Sequence, residues 1–236
     1  MSAGPTSNLF LYIGKPVRDE YGRQVGKIAS FAVAPNGRVN GVFVEHGDGE
    51  FLRYQSDQFK TEGDEITLMP SVKLRVKALC DEIPLIWRKD QALSDLVDKK
   101  KIPSEMFAEL HKNFEGVLDQ LKADAQTHLD SIDKQVAKCN SQTRELNSAL
   151  IYIEIEREIG RLDDAAYETA LQMIQDGLKK INSEKTDLDS LRSQLSNLLL
   201  GDSTMSERDL ATKPISTPPL PEPPVVVHVK GASKTG

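Results

Sequence analysis

The sequence predicts an α+β, multi-domain chain in three successive parts: a small N-terminal β-barrel, a long antiparallel helical hairpin or coiled coil, and a disordered proline-rich tail ending in a binding strand. Three observations predict it. Short alternating runs cut by glycine turns fill residues 9–69. The stretch 104–200 has no proline and repeats apolar residues every three or four positions. Six prolines crowd residues 214–224, immediately before Val225, Val226, Val227, His228 and Val229. These signals place a β-domain at 1–79, a connector at 80–103, the hairpin at 104–200 and the tail at 201–236, with a partner-binding strand inside 214–230.

In the first part, Asn36-Gly37 separates apolar-alternating runs at 25–34 and 39–44. Asn-Gly between such runs signals a tight hairpin, because both central residues of a type I′ turn need positive φ. Gly47-Asp48-Gly49 supplies the next turn, and 66–69 and 71–79 are expected to be the closing strands. In the last of these, Val72, Leu74 and Val76 alternate with Lys73, Arg75 and Lys77, which predicts one buried and one basic face. Lys73, Arg75 and Lys77 are thus candidate contacts for an anionic surface, together with Arg88, Lys89 and Lys99 to Lys101.

The middle part reads as two helices. Leu129, Ile132, Val136, Cys139, Thr143, Leu146, Leu150 and Ile153 recur in alternating steps of three and four, a heptad seam. Leu110, Phe114, Val117 and Leu121 keep the same rhythm upstream, but the steps to Ala125 and Leu129 are both four, which predicts a local stutter. The pattern restarts beyond Gly160, with Asp163 as the N-cap ahead of Tyr167, Leu171, Ile174, Leu178, Ile181, Leu188, Leu191, Leu195 and Leu198. Tyr152, Ile155, Ile159 and Leu162 form a second apolar stripe that one partner helix cannot cover. Either the turn folds back over it, or hairpins associate into dimers and then filaments. The residues expected to carry self-assembly are Leu129, Ile132, Val136, Leu146, Leu150, Ile153 and Ile155.

Composition supports an elongated, non-catalytic protein. Of 236 residues 39% are hydrophobic but only 6% aromatic, too few bulky groups for a large round core. The formal charge of −6 is concentrated in residues 104–200, which hold 11 basic against 18 acidic side chains, so the middle is a poor phosphate-backbone binder. Cys80 and Cys139 are too far apart in sequence for a CxxC site. His46, His111, His128 and His228 are scattered, Glu154, Glu156 and Glu158 cannot share one helix face, and GASKTG at 231–236 lacks the Gly-Lys step of a phosphate loop. No metal, cofactor or catalytic site is expected, and no apolar run reaches the roughly 18 residues of a spanning helix.

The tail poses a recognition question. Pro218, Pro219, Pro221, Pro223 and Pro224 form a stiff polyproline-type spacer, and the five residues Val225, Val226, Val227, His228 and Val229 make one strand with both edges unpaired. Such a strand is suited to completing a partner's sheet.

The stretch IGKPVRDEYGRQVGKI with the Asn-Gly hairpin resembles a PRC-barrel domain over the first third of the chain. The order of barrel, acidic hairpin and proline-tethered strand closely resembles the archaeal CdvA cell-division family over the whole length. That resemblance implies a non-catalytic scaffold in the cytoplasm, at the division site near the inner face of the membrane. It implies self-assembly through barrel and coiled coil, association with the membrane surface, weak association with DNA, and recruitment of the ESCRT-III-like protein CdvB. The residues matching the recruiting peptide are the prolines above and positions 225–229, which would add a strand to a winged-helix-like domain of CdvB. A second reading, a PRC-barrel adaptor in RNA or ribosome maturation with the rod as spacer, implies RNA binding and no self-assembly.

Overall fold

The computed structural model describes residues 10–200; the expected tail strand and its prolines lie outside them. Six strands, β1 (Pro16–Asp19), β2 (Gln24–Val33), β3 (Val39–Glu45), β4 (Phe51–Gln55), β5 (Phe59–Glu62) and β6 (Glu65–Leu68), form one sheet in the order β4-β3-β2-β1-β6-β5. Neighbours are antiparallel except β1 and β6. Val17, Ile28, Val42, Val44, Ile66 and Leu68 make its buried core. The ladder of the expected barrel does not close. The outermost strands β4 and β5 follow one another across a short 3-10 turn, Ser56–Gln58, and do not pair; Tyr54 and Phe59 meet edge to face at 6.1 Å across that corner instead.

The Asn36-Gly37 hairpin is present between β2 and β3, but not as a type I′ turn. Gly37 has φ 79° and Asn36 is not among the positive-φ residues. Pro35 precedes the pair with its ring-restricted φ, and Ala34 O accepts from Gly37 N at 2.8 Å, the pattern of a type I turn closed by a left-handed glycine.

Residues 71–79 are a correction to the sequence reading. They are not a strand but the start of α1 (Ser71–Asp98), a helix that also runs through most of the expected connector. Val72 and Val76 satisfy a period of two and a helical i, i+4 spacing equally well, so seven residues of alternation could not decide. The continuation decides it: Val76, Leu79 and Ile83 are each fully buried at helical steps of three and four.

The rod consists of α2 (Ser104–Glu158) and α3 (Asp164–Leu199). Its 55-residue helix α2 is about 80 Å long at ~1.5 Å per residue. Leu118, Ala125, Ile132 and Cys139 are buried on α2, and Ile181, Leu188 and Leu195 on α3, each set at seven-residue spacing. The seam thus runs through Leu118 and not Val117, which is 40% exposed, and the expected stutter dissolves. The physical reason is α1: its Val76, Leu79 and Ile83 join the same core, so this half of α2 buries a wider face than one partner helix would require. Arg75 against Asp124 and Asp90 against His111 show α1 running antiparallel to α2.

The two helix connections close in the same way with different residues. At the hairpin tip Gly160 takes φ 74°, its N–H donates to Arg157 O at 2.9 Å, and Arg161 N donates to Glu156 O at 2.9 Å, a Schellman motif. Asp163 then caps α3 by accepting from Ala166 N at 2.9 Å, as expected. Between α1 and α2, Lys100 occupies the equivalent position at φ 53°, with Lys100 N donating to Val97 O and Lys101 N to Leu96 O. A lysine Cβ in that conformation is strained by about 1 kcal/mol. Lys100→Gly is therefore expected to raise stability by a few tenths to about 1 kcal/mol, the larger freedom of glycine in the unfolded chain offsetting part of the relief. A urea midpoint unchanged or lowered would contradict that reading.

Candidate interaction surfaces

Besides the short link from β6 through Met69 and Pro70 into α1, one turn ties the sheet to the rod. Between β1 and β2 the sequence Asp19-Glu20-Tyr21-Gly22-Arg23 folds on itself: Gly22 at φ 76° lets its N–H reach Asp19 O at 3.0 Å. The Asp19 carboxylate accepts from Tyr21 N and Arg23 N at 3.0 and 2.8 Å. So braced, the turn projects three side chains at the helices. Arg23 Nη1 meets Glu184 Oε2 at 2.7 Å, Tyr21 Oη donates to Asp187 Oδ2 at 3.2 Å, and Glu20 Oε2 accepts from Lys73 Nζ at 2.6 Å. Lys73 also reaches Asp187 at 3.2 Å, tying sheet, α1 and α3 at one point.

This junction is electrostatically tense. Burial, with Glu20 and Asp187 close by, pushes the Tyr21 phenol above its ordinary range, so it stays a donor. Burial alone would lower the Lys73 ammonium, but the hydrogen bonds it donates to Glu20 and Asp187 outweigh that and hold the group charged. Glu20 Oε1 is buried without a hydrogen-bond partner, which makes Lys73 its one strong compensating charge.

A second set of ties holds α1 along α2. Arg75 Nε bonds Asp124 at 2.6 Å and reaches Glu82 at 3.3 Å. Farther along, His111 Nδ1 lies 2.6 Å from Asp90 Oδ1 and its ring stacks on Phe107. The Asp90 hydrogen bond raises the His111 pKa above the ordinary histidine value despite opposing desolvation.

The structure distributes the expected site residues unequally. Lys73 and Arg75 are engaged in ion pairs inside the chain and lie on a helix, so the proposed flat basic face does not exist; Lys77 alone of the three is exposed. Leu129, Ile132, Val136 and Leu146 pack inside the three-helix core, and Leu150 and Ile153 are half-buried. Ile155 is the exception at 49% exposed. It stands with Ile151, Tyr152 and Ile159, at 60%, 66% and 59%, in an apolar stripe that the hairpin turn does not cover. The positions 218–229 lie outside the described residues. Among the described residues no group of three or more His, Cys, Asp or Glu side chains is placed to hold a metal, and no helix is long and apolar enough to cross a membrane. Sequence reasoning missed the 19–23 turn as an anchor; its signal was the Asp-x-x-Gly-Arg pattern facing a rod rich in acid.

Comparison with known proteins fits this division of the chain. A family model, the CdvA-like coiled-coil domain, matches residues 73–215. It begins inside α1, so it takes in all three helices of the shared core and not the hairpin alone. The chain is also 23% identical over 201 residues to Cell division protein A of Sulfolobus acidocaldarius, an alignment covering 82% of this chain and 81% of that protein.

Two outcomes follow from the ties. Lys73→Glu leaves the Glu20 carboxylate without its cation and adds a like charge; with both groups partly solvated, the loss is expected at roughly 1–3 kcal/mol. Amide exchange should then quicken in β1 and the 19–23 turn while far-UV circular dichroism stays helical; unchanged exchange would mean that the turn does not anchor the sheet. His111 gives a pH signature. Its folded pKa is raised, so its contribution is fully present below the unfolded value of about 6.5 and is lost as pH rises through the folded one. The urea-midpoint difference between wild type and His111→Gln is expected to be largest below about pH 6 and to shrink as pH rises through the raised folded pKa.

Proposed function

The chain belongs to the CdvA-like coiled-coil family, and we propose on that premise that it is a non-catalytic, self-associating scaffold of cell division. The observation that carries this is a family match over nearly all of the α1-α2-α3 unit, supported by a similarity to a cell division protein over most of both chains. The physical design agrees with it. A rod of about 80 Å with an attached sheet sets distances between binding surfaces. In this reading the sheet is a PRC-barrel-like docking module, and the proline-rich tail presents Val225 to Val229 to the ESCRT-III-like CdvB as an added strand. Main-chain hydrogen bonds supply affinity there, and the alternate side chains Val225, Val227 and Val229 supply specificity.

Contact with an anionic membrane surface, and weakly with DNA, falls in this account to the exposed cations Lys77, Arg88, Lys89 and Lys99 to Lys101, because Lys73 and Arg75 are engaged internally. The strained backbone of Lys100 supports that assignment: the chain keeps a positive charge where glycine would fit without strain.

Isothermal titration of a peptide covering residues 214–230 against the C-terminal domain of the ESCRT-III-like partner tests recruitment. Binding is expected, with Val227→Pro disrupting it because one backbone donor is removed from the added strand. Deletion of 214–236 should abolish partner binding and leave self-association intact. Absence of heat together with unchanged partner binding by the truncated chain would remove the tail from the account.

A further inference from the structure

We propose that two copies of this chain join through the outward face of α2 at the hairpin tip, antiparallel about a twofold axis at Ile151. The inference rests on the self-association proposed above and names the surface that carries it. Ile151, Tyr152, Ile155 and Ile159 are between 49% and 66% exposed. At about 100° per residue they share one arc, and Ile155 points about 180° away from Leu146, which packs in the hairpin core. The helix is therefore apolar on two opposite faces, and α3 occupies only one of them.

The charges beside the stripe select a second copy as its occupant. Arg144 and Glu158 are exposed, lie on the same arc, and take part in none of the ion pairs among the described residues, whereas their neighbours Arg157 and Arg161 reach Asp164 and Glu156. Fourteen positions, about 21 Å of helix, separate Arg144 from Glu158, so they cannot meet within one chain. Ile151 is their midpoint. Laid antiparallel on itself about that residue, α2 brings Arg144 of each copy opposite Glu158 of the other, twice, with Ile151 against Ile151. Ile155 then falls over Asn147 and Ser148 of the second copy, where short side chains leave room. An anionic lipid surface is a poor alternative, since Glu145, Glu154, Glu156 and Glu158 border the stripe. The overlap spans residues 143–159, so the contact is at the small end of specific interfaces and the dimer is concentration-dependent. Its rods extend in opposite directions from the joined tips and carry the two sheets apart.

Sedimentation velocity of the full-length chain over a concentration series tests this with four variants: Arg144→Glu, Glu158→Arg, the double exchange, and Ile155→Asp. Each single charge reversal is expected to weaken dimerisation by about tenfold, because two pairs become two repulsions. The double exchange is expected to restore it to within about threefold of wild type, which only a contact between copies can do. Ile155→Asp should leave monomers, with helix content unchanged and melting like that of dilute, monomeric wild type, because the side chain is exposed. Variants that associate like wild type, or a double exchange no better than the singles, overturn the tip contact and leave a self-associating rod with its interface elsewhere. A wild type that stays monomeric throughout overturns both the tip contact and self-association; its capture by another protein or by lipid would then assign the stripe to that occupant.

Discussion

Burial of one shared apolar seam between three helices is the constraint on which the molecule depends. Neither α2 nor α3 could remain a helix of its length in water on propensity alone; tertiary burial holds each of them straight. Ile132, Cys139, Ile181 and Leu188 close the hairpin from within, while Val76, Leu79 and Ile83 of α1 add a third layer over the half nearer the N-terminus of α2. Gly177 permits close approach at the other half, where a Cβ would stand 3.2 Å from Leu146 Cδ1. The rod is thus thick where it meets the sheet and thin toward the tip.

That thickness also locates the electrostatics. The rod carries most of the excess acid of the chain, and where α1 begins the acid is matched: Glu184 by Arg23, Asp187 by Lys73 and Tyr21, Asp124 by Arg75. Isolated surface pairs contribute little, but here several carboxylates and cations converge around the half-buried Glu20 carboxylate, where geometry rather than number gives them weight. The five-residue turn thus ties the sheet to α1 and α3 in addition to the Met69-Pro70 link. Toward the tip the matching is partial: Arg157 reaches Asp164 and Arg161 reaches Glu156, while Arg144, Glu145 and Glu158 stay exposed and outside the ion pairs among the described residues.

Among the described residues the fold leaves surfaces of two kinds unsatisfied. The tip stripe is rigid, lying on a helix ended by a Schellman motif and anchored across the turn by Tyr167, which donates to Glu154 at 2.6 Å and stacks under Arg157. The lysine corner between α1 and α2 is polar and strained at Lys100. One surface is apolar and the other cationic, and the length of α2 keeps them apart.

By itself the sequence determined the helical hairpin, because proline-free heptads, Gly160 and Asp163 are local signals that no tertiary context contradicted. It also determined the approximate places of three of the six strands, β2, β3 and β6, and the existence of a second apolar face around Ile155, since periodicity alone reveals an excess of apolar positions. Tertiary structure decided the rest. Val72 to Val76 fit a strand or a helix equally until the burial of Leu79 and Ile83 against α2 selected the helix. Val117 and Leu118 were equivalent by pattern, and the third helix chose between them. Lys73 and Arg75 read as a free basic face because their carboxylate partners, Glu20, Asp187 and Asp124, come from elements distant in sequence. Charge sign is local, but whether a charge is free or paired is a property of the packed chain.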